Sequence, residues 1–184
     1  MMKIGFLVIV FAALIAVPLV RADQNSAKLP PLFDRLSKAG NPIEAENIAR
    51  QIWRIWIHHK DPEVQRFMAL GIAAMNQNNY EDAFNAFEHV VGIAPDFAEG
   101  WNKRATVNYI LKRLSASMRD IERTLALEPR HFGALSGLAI IFDTIGNNKA
   151  AADAWDRALN VHPNIRGARK HLKELRGRLK GKLI

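Results

Sequence analysis

The sequence contains no cysteine. That excludes disulfides, thiolate catalysis, cysteine-based zinc sites and a lipidated N-terminal cysteine. It has no nucleophile elbow, no phosphate-binding loop and no glycine-rich turn between strand and helix. The six histidines, His58, His59, His89, His131, His162 and His171, form no known metal motif at helical spacing. His58 and His59 are adjacent, so on a helix they point about 100° apart and cannot share a metal. No low-complexity stretch appears. A non-enzymatic chain without metal or cofactor is expected.

Long hydrophobic runs are also missing, with one short exception. Ile4 to Val17 carries no charge over 14 residues, follows Met1-Met2-Lys3 and is broken by Pro18. Val20-Arg21-Ala22 then offers small or aliphatic residues at the two positions a signal peptidase reads. Residues 1–22 are expected to be a signal peptide cut after Ala22, which places the mature chain in the periplasm. The alternative is an uncleaved anchor in the inner membrane, for which the run is short of the roughly 20 residues a span needs.

The remaining chain repeats. Pro95, Pro129 and Pro163 are spaced by 34 residues, and the blocks 64–97, 98–131 and 132–165 align with them. The fourth column reads Phe67, Trp101, Leu135; the eighth Gly71, Ala105, Ala139. The twentieth reads Ala83, Ser117, Ala151; the twenty-fourth Phe87, Ile121, Trp155. Small columns belong where helices cross closely. Each proline ends a second helix, because it cannot continue one. A unit of this length is a helix-turn-helix that stacks on its neighbours.

These columns resemble the tetratricopeptide repeat (TPR) family, through Leu70-Gly71, Tyr80, Ala83, Phe87 and Pro95 in the first block. In the third block Leu138-Ala139, Ala151, Trp155, Ala158 and Pro163 carry it. The resemblance implies an all-α solenoid that binds an unknown protein or peptide. More loosely, Glu99–Thr106 and Leu127–Leu135 resemble exported bacterial TPR proteins, which implies an envelope location rather than an activity.

The resemblance also implies a concave partner surface on the first helices. It comprises Gln65, Met68, Ile72, Met75 and Asn76; Glu99, Asn102, Thr106, Tyr109 and Ile110; and Gly133, Ser136, Ile140, Asp143 and Thr144. Met68 and Met75 either serve a groove or pack between repeats. Some TPR proteins clamp a peptide's terminal carboxylate, but those positions here hold Met68, Ile72, Lys103, Gly133 and Gly137. Lys103 alone cannot make that clamp.

Two columns break their pattern together. The seventh reads Leu70, Arg104, Leu138 and the twenty-third Ala86, Asp120, Ala154. A lone buried guanidinium is costly, so Arg104 is expected to pair with Asp120, with Glu128 as second choice and Asn108 joining.

Before the repeats, residues 23–63 hold a short helix near Leu32, Phe33 and Leu36, then a longer one from Ile43 to His58. The pair is expected to cap the array as a degenerate fourth repeat. Trp53 and Trp56 either pack there or form an exposed aromatic patch. Asp61-Pro62 marks the next helix start.

Charge is concentrated at the other end. Of a net +8, residues 164–184 carry +7, from eight Lys and Arg against Glu174. Lys3 and Arg21 contribute +2, so residues 23–163 sum to −1. The helix 166–184 presents Ile165, Ala168, Leu172, Leu175 and Leu179 to the last repeat and is expected to fray at Lys180-Gly181-Lys182. Its cations either solubilise a cap or contact an anionic membrane surface through Arg169, Lys170, Lys173, Arg176, Arg178, Lys180 and Lys182. Nucleic acid is not an expected partner of an exported chain.

Overall fold

The computed structural model describes residues 23–181; the expected signal peptide and Lys182 lie outside the described residues. After a short 3₁₀ turn at Asp23–Asn25 come α1 (Leu29–Lys38), α2 (Pro42–Trp56), α3 (Pro62–Asn76) and α4 (Tyr80–Ile93). Next are α5 (Ala98–Ile110), α6 (Leu114–Leu127), α7 (Phe132–Thr144), α8 (Asn148–Val161) and α9 (Ala168–Gly181). The described residues are all-α, with no strand.

From α3 onward each helix packs on the next, which makes a solenoid of three antiparallel pairs closed by α9. The starts are written locally. Asn41 and Asp61 cap α2 and α3 by accepting the amide N–H of Glu44 and Glu63, with Pro42 and Pro62 behind them. Inside every pair the chain reverses through a residue in the left-handed region: Asn78, Lys112 and Gly146, at φ 61°, 62° and 77°. These three positions are again 34 apart.

Packing follows the columns. Ala83, Ser117 and Ala151 are buried where paired helices cross. The Ser117 hydroxyl donates to the Ala105 carbonyl across that crossing, at 2.7 Å. Gly71 lies flat against the Phe87 ring, where a Cβ would come within 2.5 Å. Ala168, Leu172 and Leu175 of α9 join the buried core of the last two repeats.

The N-terminal pair is present but does not stack as a fourth repeat. No extensive backbone contact joins α2 to α3. Instead α1 and α2 lie across the junctions between repeats. Asn164, at the third junction, donates to the Ala39 carbonyl. Trp53 and Trp56 pack on His131 and Phe132 at the second. The His59 ring meets Phe97, and Gln24 donates to the Asp96 carbonyl, at the first. The pair is a strut along one edge of the solenoid. Among the described residues no helix stacks extensively ahead of α3, and Leu70 is 51% exposed although its column mates, Arg104 and Leu138, are covered.

At the other end α9 begins at Ala168, after Gly167 at φ 76°, rather than at Arg166. It continues through Lys180 and Gly181 to the end of the described residues, and Lys182, the last of the three residues expected to fray, lies outside them. Leu179 still packs on the core at that depth, which holds the last turn.

Candidate functional site

The concave face is built by α3, α5 and α7, and the strut decides how much of it stays open. At the start of α5, Glu99 is buried rather than presented to a partner. One oxygen accepts from His131 Nε2 at 2.9 Å and from the Asn102 amide at 3.1 Å, and Lys103 Nζ lies 3.2 Å from the other. Burial alone disfavours its charge. The nearby ammonium of Lys103, then the hydrogen bond and charge of His131, outweigh that and hold its pKa below the ordinary 4.5.

His131 is itself fully buried and caps α7. Its Nδ1 accepts the Ala134 amide N–H, which puts the proton on Nε2 facing Glu99. The imidazole stacks on Trp56 at 4.1 Å between centroids. Trp56 is therefore core, not an exposed patch, and Trp53 is half-buried against Phe132 and under Lys103.

Two expected partner contacts are thus corrected. Glu99 is buried because it builds this network under the strut, and Met68 is buried among Val64, Phe87 and Val90. Asn102 joins the network and is largely buried, yet it still lines the cleft between α5 and α7. Ile72 and Met75 are half-buried against the same cluster. Gln65 is half-buried and accepts the His59 amide N–H at 2.9 Å. Asn76 is exposed. Gly133 lies under Trp53, where a Cβ would meet the indole at 2.7 Å. Asp143 is engaged by His171 and Arg178, and the Thr144 hydroxyl donates to the Ile140 carbonyl.

The remaining residues do converge. Thr106 and Tyr109 of α5 face Ser136, Gly137 and Ile140 of α7 over Ser117 and Ile121 of α6, around a cleft of about 210 Å³. Its lining is almost wholly apolar. It exists because α7 carries Gly133 and Gly137 where α5 carries Glu99 and Lys103. The hydroxyls of Thr106 and Ser136 donate to carbonyls one turn back, of Asn102 and Phe132, and so present no free donor to the cleft. Ile110 is half-buried and does not line the cleft.

Arg104 reaches Asp120 through Nε at 2.9 Å and a second N–H, and Asn108 donates to the same carboxylate at 2.9 Å. Glu88 of α4 takes the third guanidinium edge. Burial opposes the Arg104 charge, but Asp120 and then Glu88 more than offset it and raise its pKa. The second-choice acceptor, Glu128, is bound instead by Arg130.

On α9, Arg176 pairs with Asp156 and Arg178 with Asp143, both across to the solenoid. Arg169 donates to the Pro163 carbonyl. Lys170, Lys173 and Lys180 are exposed. Among the described residues no helix is long and apolar enough to cross a membrane.

No family model matches the sequence. A TPR repeat-containing protein of Rhizobium etli is 34% identical over 154 residues, covering 84% of this chain and 76% of that one. The chain belongs to the TPR repeat-containing proteins. Solved TPR structures share the fold. The first TPR of Spaghetti (RPAP3), bound to the HSP90 peptide SRMEEVD, has a TM-score of 0.62 at 19% identity, over 64% of this TPR chain and 94% of that one. The MamA protein reaches 0.58 at 19% identity, over 80% of each chain.

The Glu99–His131 network was missed by sequence reasoning, yet its signal was present. In the second column only the middle block has a carboxylate, and in the thirty-fourth Phe97, His131 and Ile165 show the middle block alone with a titratable ring. That is the same paired anomaly that marks Arg104 and Asp120.

Proposed function

We propose that this TPR protein is a protein- or peptide-binding scaffold that serves cell-envelope assembly or integrity, and that it acts after export to the periplasm. The observation that carries the binding role is the open apolar cleft between α5 and α7. A cleft of this kind accepts an apolar side chain and leaves the partner's backbone to the rim. A peptide-bound TPR neighbour of the same fold supports the reading. Export rests on the charged start, the apolar run and Val20-Arg21-Ala22. The paired state of Arg176 and Arg178 weighs against a mainly lipid-binding tail, because two of its cations already meet carboxylates.

Tyr109→Ala with Ile140→Asp destroys the apolar lining at two half-open positions. Envelope fractions passed over the wild-type protein should yield captured proteins that this double variant loses. Equal capture by both would remove the cleft from the account. N-terminal sequencing of the cell-derived protein should begin at Asp23; a chain that starts at Met1 contradicts export with cleavage.

A further inference from the structure

A second groove runs beside the strut and meets the cleft at Ser136. It runs for about 740 Å³ between α2 and the segment that joins α8 to α9. Its apolar floor is Trp53 and Phe132, and at its rim Ile43 is 77% exposed. From this groove we infer a docking site for an acidic peptide segment that carries an apolar anchor, a site that borders the concave cleft at Ser136 and has its own cationic rim.

The charge is one-sided. Of the lining groups, Glu46 is matched by Arg50 at 3.5 Å. That leaves Arg166, Arg169 and Lys170 with no carboxylate of the described residues in ion-pair reach, whereas Arg176 and Arg178 further along α9 are both paired. Arg169 and Lys170 also occupy the first turn of α9. Cations there face the positive end of the helix dipole and lose stability; an anion held among them reverses the sign. Arg169 is steered toward the junction by its bond to the Pro163 carbonyl.

A second observation is independent of charge. His162 lines the groove, is buried, and its Nδ1 has no partner. A buried polar atom left unpaired is costly, so the groove wall carries an unsatisfied polar group beside its cationic rim. Burial lowers the His162 pKa despite the opposing charge of Glu46, which disfavours a positive charge on the ring. A peptide fits better than a bilayer, because Phe132 is buried and an apolar anchor has to enter the groove to reach it.

The test is fluorescence anisotropy at low ionic strength with the purified protein and a labelled peptide of alternating Glu and Leu. Three exposed ion pairs together are worth roughly tenfold in affinity, so Arg166→Gln/Arg169→Gln/Lys170→Gln should weaken binding by about that factor. Ile43→Ser should weaken it as well. The charge-matched control Lys173→Gln/Arg178→Gln/Lys180→Gln should bind as wild type. So should Tyr109→Ala/Ile140→Asp, which separates this site from the cleft. Equal loss in both triple variants would reduce the effect to net charge and overturn the proposal. So would binding of phosphatidylglycerol vesicles through the first three residues with no binding of the peptide.

Discussion

Replacing Asp120 by Ala tests the ion pair of the middle repeat. The carboxylate is buried and accepts two bonds from Arg104 and one from Asn108. Breaking a buried pair by removing one partner costs about 3–5 kcal/mol, since the other charge is left uncompensated. Here Glu88 still holds one edge of the guanidinium, so the lower end, about 3 kcal/mol, is expected. The neighbouring repeats show how the site looks without charge: Leu70 and Leu138 in one column, Ala86 and Ala154 in the other. The double variant Arg104→Leu/Asp120→Ala copies that pattern. Replacing both ions by packed apolar groups is often neutral, so the double variant should recover most of the loss. Urea unfolding followed by tryptophan fluorescence gives all three values. A loss under about 1 kcal/mol for Asp120→Ala, or a double variant as unstable as the sum of the singles, would refute the argument.

Other perturbations follow from the same geometry. Lys112 adopts φ 62° where the third repeat has Gly146, so Lys112→Gly should stabilise by about 1 kcal/mol, read as a higher urea midpoint at unchanged slope. Trp56→Ala removes the ring stacked on His131 and should cost about 3–5 kcal/mol; limited proteolysis should then cut the α1–α2 pair before the repeats. Acid should destabilise in two windows. His162 has a lowered folded pKa, so its contribution is complete above its ordinary 6.5 and is lost as pH falls below that value. Glu99 likewise contributes fully above its ordinary 4.5, and that contribution is lost as pH falls through its lower folded value. Glu99→Gln should flatten the lower window of a melting-temperature profile, and an unchanged slope there would refute the assignment.

The repeat register was legible because a 34-residue period carries prolines, small crossings and large core groups in step. The Arg104–Asp120 columns stood out against that period. The strut was not legible, since residues 23–63 do not share the repeat. An apolar helix with two stripes fits end-stacking or edge-packing equally. What decides between them is contact between Trp56 and His131, far apart in the chain. That placement also explains why Glu99 could not be assigned from the family pattern. It is bound to His131 under α2, and Gly133 is partly covered by Trp53. Met68 is covered by its own repeat. What stays open lies further along α5 and α7.

The most direct test of the account is a photo-crosslinking residue placed at position 140 in living cells, with position 149 as the exposed control on α8. The account predicts discrete protein adducts from Ile140 that Lys149 does not give, and that Tyr109→Ala suppresses. Adducts equal at both positions, or from Lys149 alone, would contradict the concave cleft as the binding site.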